Sequence, residues 1–419
     1  MGSRLQLLLQ ALLILPLHLA SGQSYGQQLR TVVEWKAADF VFPTPQERAE
    51  ALATGRYKPE NCIPLEMDVD YSNPAGSRMF VTIPRFVDGV PYTLGKVSGS
   101  LIEPFPSAAI QARPENNNCQ GIVSVFRIKI DECNRMWVLD TGKIGNKFIC
   151  PPQLVVIDMK TDAIIHRYRI PESQLVCEVS VLVNLLVDVQ DPAPLGSCQN
   201  TKVYMADVKG FAMIVYDMSR GKSWRITNKQ MYPDPEYGTF TVANESFDLM
   251  DGILGMALSP RSSSSDRLLY FHALSSATEN SVKMSLLLNE TIWQNNAWAL
   301  PSAFRPIGKI PSQSVAEAMD SNGNLFFGLL EQNAIACWDS STPYHPANIR
   351  IVSQNSETLQ FASGIKIVRN RQGVEELWVL TCRFQKFMTG TMNTARETNF
   401  RIQVIQIPTA LGFNRSCRV

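Results

Sequence analysis

Arg135-Met-Trp-Val-Leu-Asp140 is a run of β-branched, aromatic and long apolar side chains that follows the turn-prone stretch Asp131-Glu-Cys-Asn134. Five echoes of it stand along the chain: Arg78-Met-Phe-Val-Thr-Ile83, Lys202-Val-Tyr-Met-Ala-Asp207, Arg267-Leu-Leu-Tyr-Phe-His272, Asn324-Leu-Phe-Phe-Gly-Leu329 and Glu376-Leu-Trp-Val-Leu-Thr381. Each follows a stretch that favours turns, such as Asn73-Pro-Ala-Gly76, Asp320-Ser-Asn-Gly323 or Asn370-Arg-Gln-Gly373. Such runs, bounded by turn residues, read as β-strands. Their starts are 57, 67, 65, 57 and 52 residues apart.

Working outward, a second β-rich run precedes most of these strands, at 124–130, 182–189, 253–259, 315–319 and 363–368. A third often follows, at 211–217, 281–288 and 334–339. A period of this length with up to four strands per unit is the signature of a β-propeller. The fold class is therefore all-β, a six-bladed β-propeller with four-stranded antiparallel blades. The length of 419 residues would otherwise favour two or three domains. Two unrelated β-sandwiches would not explain six echoes of one pattern. Residues 31–35 at one end or 401–407 at the other should complete the last blade, because an open strand edge invites aggregation.

Residues 1–22 read as a signal peptide: Arg4, an apolar run to Leu19, then Ala20-Ser21-Gly22. The single propeller is then expected over 23–419, secreted and extracellular, and no later stretch is long and apolar enough for a membrane helix. Of 39 basic and 38 acidic residues, Arg4 leaves with the leader and the charges balance. A neutral chain has no long-range field to gather polyanions, which argues against nucleic acid. Nine cysteines in an oxidising compartment favour disulfides, with at least one left over. None forms a CxxC pair. Asn244-Glu-Ser, Asn289-Glu-Thr and Asn414-Arg-Ser are glycosylation acceptors.

In a propeller the ends of the second strands and the starts of the first converge on one face, around the axis. Its polar and aromatic candidates are Arg85, Asp140, Asp207, Glu279, Asn280, Glu331, Asn333 and Arg383 from second strands. Glu245, Phe247, Glu317 and Phe361 come from the starts of first strands. Such a rim suits a small aromatic amine or catechol-derived ligand, with carboxylates for an ammonium and rings for stacking. Any one acid, Asp140 and Asp207 above all, is as readily a turn cap. His166, His272 and His345 alone remain after the leader, and no HExxH, Gly-x-Ser-x-Gly or phosphate loop occurs. His272 and His345 read as structural or exposed. No cofactor and no histidine-rich metal centre is expected; a weaker alternative is a Ca²⁺ site at Glu245, Asn280 and Glu331. Trp137, Trp338 and Trp378 read as blade packing.

Several ordered stretches carry a family resemblance across roughly 34–405. They include Asp39-Phe-Val-Phe-Pro43, Gly89-Val-Pro91, Arg135-Met-Trp-Val-Leu-Asp-Thr-Gly142, Cys150-Pro-Pro-Gln-Leu154 and Tyr204-Met-Ala-Asp-Val208. Asp251-Gly-Ile-Leu-Gly-Met-Ala-Leu-Ser-Pro260, Ala336-Cys-Trp-Asp339 and Asn399-Phe-Arg-Ile402 continue the series. The chain resembles the insect yellow / major royal jelly protein family. The resemblance implies a secreted six-bladed propeller and three functional readings. One is a dopachrome-converting, tautomerase-type enzyme of pigmentation; the rim geometry, not the resemblance, then offers Asp140, Glu279 or Glu331 as base and Arg383 or Arg85 to hold the substrate. Another is a non-catalytic binder of dopamine or serotonin, and a third is a cuticle or eggshell structural protein. A Ca²⁺-dependent lactonase-like hydrolase is a fourth possibility outside the family. The resemblance implies a Cys133–Cys198 disulfide, and Cys62 departs from the family pattern as the first candidate for an unpaired thiol.

Overall fold

The computed structural model describes residues 24–114, 118–262, 266–412 and 416–418. The expected signal peptide and Asn414 lie outside them. Six antiparallel sheets surround one axis, each a four-stranded blade, with the short strand Ser24–Gly26 added as a fifth to the outer edge of blade 5. Blade 1 comprises Glu66–Asp70, Arg78–Thr82, Leu94–Ser98 and Leu101–Pro104. Blade 2 is Val125–Ile130, Arg135–Asp140, Gln153–Asp158 and Ile164–Arg169; blade 3 is Leu182–Val189, Thr201–Asp207, Ala212–Asp217 and Lys222–Thr227. Blade 4 is Ile253–Leu258, Leu268–Ala273, Thr278–Lys283 and Arg305–Lys309. Blade 5 is Glu317–Met319, Asn324–Leu329, Ala334–Asp339 and Ile349–Asn355. Blade 6 combines Ala362–Arg369, Glu375–Cys382 and Phe400–Gln406 with the early strand Arg30–Trp35. Each first strand touches the next around the ring, and the sixth touches the first.

The six quoted runs are the second strands. The turns before them form because an Asp or Asn side chain accepts backbone N–H groups two and four residues on. Asp131 Oδ1 accepts from Cys133 and Arg135 at 2.9 and 3.0 Å, Asp320 Oδ1 from Asn322 and Asn324 at 2.9 and 2.8 Å, and Asn370 Oδ1 from Gln372 and Val374 at 3.0 Å each. Alternate side chains of each strand then meet the neighbouring blade. Trp137, Leu139 and Val156 of blade 2 pack on Leu185, Val203 and Met205 of blade 3, all buried. Each such burial contributes roughly 1.5–3 kcal/mol. Trp338 and Trp378 are buried likewise.

Strands from near both ends of the chain meet in blade 6. Trp35 pairs with Phe400 and Arg30 with Val404, so the early strand is the outer edge of a sheet built from the last strands. Two expected boundaries move. The third strand of blade 4 is Thr278–Lys283, not 281–288, because Met284–Leu287 turns helical and buries Met284 and Leu287. The strand expected at 401–407 stops at Gln406, where the helix Ile407–Leu411 begins.

Disulfides join Cys119 to Cys150, Cys133 to Cys198 and Cys337 to Cys417. The second, the pairing implied by the resemblance, ties the inner-strand turns of blades 2 and 3. Cys62, Cys177 and Cys382 are free, so at least one thiol is left over as expected, Cys62 among them. Among the described residues no helix is long and apolar enough to cross a membrane.

Candidate functional site

The face expected to hold a ligand is covered. The hairpin Thr239–Val242 and Glu245–Asp248 packs on the helix Phe384–Thr389 above the axis. Phe247 lies 5.9 Å from Phe384 and Phe361 4.9 Å from it, centroid to centroid, and Phe86 reaches the same ring. Beneath this aromatic cap only about 70 Å³ of space remains, bordered by Phe126, Leu254 and Asp251 among others.

Most charged candidates of that face are committed to holding its turns. Asp140 is fully buried and accepts four hydrogen bonds: Oδ1 from the N–H groups of Ser124 (2.8 Å) and Gly142 (3.0 Å), Oδ2 from Val123 N–H (2.9 Å) and the Gln153 amide (3.0 Å). Asp207 repeats the motif one blade on, accepting from Ser180, Val181, Gly210 and Arg225 at 2.6–2.9 Å. Arg85 is buried with its guanidinium donating to the carbonyls of Val90, Pro91, Gln111 and Val123. Burial lowers its pKa to about 10. Arg383 bridges Glu357 (2.5 Å) and Glu397 (3.0 Å). Asp140, Asp207 and Arg85 are thus engaged by the chain itself, and Arg383 is ion-paired with only its Nε unpartnered among the described residues.

The other candidates are scattered. Glu331 is exposed, and Asn333 takes the left-handed conformation (φ 49°) of a turn. Glu245 accepts the hydroxyls of Thr389 and Thr391, at 2.5 Å each. Asn280 donates to the carbonyls of Phe271 and Thr278. In the alternative Ca²⁺ trio of Glu245, Asn280 and Glu331, Glu331 is exposed, Glu245 accepts two hydroxyls, and the Asn280 carbonyl oxygen is buried without a partner.

The large on-axis cavity, about 560 Å³, opens at the opposite end. It is lined by the first strands and by the turns after them. Arg127 borders both this cavity and the small aromatic chamber and so forms the floor between them. Here Glu66 Oε2 is shared by Arg127 (3.0 Å) and Lys366 (2.9 Å), from blades 1, 2 and 6. The cluster fits because Gly364 lies against Glu66: a Cβ there would stand 2.5 Å from Glu66 Oε1. Nearer the mouth, Asp188 is shared by Arg261 and Arg267, at 2.6 Å each. At these two places a single carboxylate serves two cations, so the positive charge exceeds the negative locally.

Glu317 and Glu279, expected as separate rim groups, meet on His272. Its Nδ1 is 2.9 Å from Glu279 and 3.4 Å from Glu317, and Nε2 is 3.1 Å from the Ser314 carbonyl. All three side chains are buried, and Glu317 borders the cavity. The ring lies flat against Gly255, where a Cβ would stand 2.2 Å from it. Burial alone would lower the His272 pKa; the charges of Glu317 and Glu279 outweigh it and hold the pKa up at about 10. Burial and then the Glu317 charge raise Glu279 to about 8. The sequence reading dismissed His272. The available signal was a histidine at the inner end of the apolar strand Leu268–Ala273, a place that needs a polar partner.

Residues 123–416 match a family model described as "Major royal jelly protein". A Drosophila melanogaster protein named "Dopaminechrome tautomerase" is 34% identical over 402 residues, covering 91% of this chain and 84% of its own length. "Major royal jelly protein 9" of Apis mellifera is 36% identical over 383 residues, covering 88% and 85%. "Protein yellow" of Drosophila subobscura is 32% identical over 413 residues, covering 96% and 69%.

Proposed function

The chain belongs to the yellow and major royal jelly protein family, and on that footing we propose that it is an exported isomerase of aminochromes, the indoline quinones formed from catecholamines. Pigment formation, as in melanised cuticle, is the process that such an activity serves. The relative named for dopaminechrome tautomerisation supports this reaction class. Three disulfides and the apolar leader support export.

The observation that carries the reading is the Glu66–Arg127–Lys366 cluster on the cavity floor. Conversion of an aminochrome to a dihydroxyindole breaks two C–H bonds, one at each saturated carbon of the five-membered ring. The electron pairs move through the ring to the two quinone oxygens, and two O–H bonds form. The first proton removal gives a quinone-methide tautomer and the second completes the indole. Nothing is oxidised or reduced overall. The reaction needs a cation where negative charge develops on oxygen and a base at the carbon. Arg127 and Lys366 supply the first. Glu66 supplies the second: a quinone oxygen that takes over one of its ion pairs gains a cation and frees the carboxylate to accept the proton. The cavity of about 560 Å³ suits a bicyclic substrate, within the roughly 300–1,000 Å³ usual for ligand sites. The chamber of about 70 Å³ under the aromatic cap does not, which disfavours simple amine binding there.

The test follows the visible absorbance of dopachrome and of dopaminechrome with purified protein. Wild type accelerates the decay of at least one of them. Glu66→Gln lowers kcat about 10²–10⁴-fold, the usual contribution of a general base. A wild-type rate equal to buffer, with the protein folded, rejects the reading.

A further inference from the structure

We propose that His272, Glu279 and Glu317 bind one divalent transition-metal cation, of the zinc class, in the wall of the central cavity. Each offers a ligand atom, and these atoms all lie within 4.8 Å of one another. A zinc ion bonded at about 2.1 Å in tetrahedral geometry sets its ligands about 3.4 Å apart. His272 Nδ1 and Glu317 Oε2 are already at 3.4 Å, and the Glu279 contact at 2.9 Å has only to open slightly.

Hydrogen bonding leaves these carboxylates unsatisfied. The Ser314 carbonyl can only accept, so His272 Nε2 carries a hydrogen and Nδ1 has at most one proton for two carboxylates. Glu279 Oε1 and both Glu317 oxygens have no hydrogen-bond partner among the described residues. The adjacent Ser314 hydroxyl, on a fully buried residue, has none either. Unpartnered carboxylate and hydroxyl oxygens in a dry interior are costly. A dication that replaces the Nδ1 proton gives the orphaned oxygens a partner.

The donor set selects the ion. An imidazole nitrogen with two carboxylates suits zinc and its neighbours rather than Ca²⁺ or Mg²⁺, which take oxygen ligands. The Nε2–H donated to the Ser314 carbonyl is the second-sphere bond that orients a metal-bound imidazole. Gly255 leaves the room the ring occupies, since a Cβ there would stand 2.2 Å from it. Glu317 borders the cavity and so gives the ion an entrance. The site goes beyond the isomerase reading, whose residues lie in other blades, and its test measures metal rather than turnover.

Untagged full-length protein, stripped with a chelator and dialysed, is titrated with Zn²⁺ by calorimetry and with Co²⁺ by visible spectroscopy. One equivalent is expected to bind, with the intense Co²⁺ bands of four-coordination. Glu317→Gln weakens binding at least tenfold, while Glu331→Gln, at an exposed acid, leaves it unchanged. No heat and no Co²⁺ bands, or equal affinity in Glu317→Gln, overturns the proposal. If Glu317→Gln does not fold, X-ray absorption of zinc-loaded wild type decides. A shell of one imidazole nitrogen with carboxylate oxygens supports the site, and an all-oxygen or two-imidazole shell refutes it.

Discussion

Asp140→Asn separates a structural carboxylate from a catalytic one. The carboxylate accepts two hydrogen bonds on each oxygen, three of them from backbone N–H groups. An asparagine keeps one oxygen and can satisfy one pair of donors. Its amide group then faces the other pair, donor against donor. The substitution therefore loses two bonds to a charged acceptor, each contributing roughly 1.5–3 kcal/mol, so unfolding becomes easier by about 3–6 kcal/mol. That is a large share of the roughly 5–15 kcal/mol that holds a typical domain. Urea unfolding followed by tryptophan fluorescence measures it, with aminochrome turnover assayed on the fraction that stays folded. Stability should fall while kcat per folded molecule changes little. A loss below about 1 kcal/mol together with abolished turnover would refute the reasoning and return Asp140 to the active site.

Other consequences follow from the same structure. Replacing Cys133 and Cys198 together by serine opens a loop spanning 65 residues and should cost about 4 kcal/mol in chemical denaturation under non-reducing conditions. Native alkylation with iodoacetamide, read by mass spectrometry, should modify Cys177 alone among the free thiols. Cys177 is exposed, whereas burial pushes the Cys62 thiol well up and Cys382 to about 12. Removing the strand Arg30–Trp35 should leave the edge of Phe400–Gln406 bare and convert the protein to aggregates on size exclusion.

The architecture was largely legible in the sequence because each blade repeats one local grammar: an Asx turn, then an apolar strand. The turn at Asp131 and the strand Arg135–Asp140 depend on residues within a few positions of each other. Closure by the two chain ends was legible too, as a need for one more strand, although not that both ends would serve one sheet. The site was legible only in part. Composition of the rim could not reveal that Asp140 already has its donors, because Val123 and Gln153 come from segments on either side. Nor could it reveal that His272 and Glu317, 45 residues apart and in different blades, converge. The aromatic cap over the expected face arises from a hairpin at 239–248 and a helix at 384–389, whose meeting no local pattern announces.

The pairing of Arg30–Trp35 with Phe400–Gln406 also sets an order of events during synthesis. Arg30–Trp35 leaves the ribosome early and must wait, with the backbone groups of its pairing edge unmatched, until nearly the whole chain has followed it. Until then the ring is an open arc with unpaired strand edges at both ends. Blade 6 is consequently the clasp. A circular permutant that keeps those two strands contiguous, through a short linker between the original ends, would make the clasp a local hairpin-like event and should shorten that exposed interval.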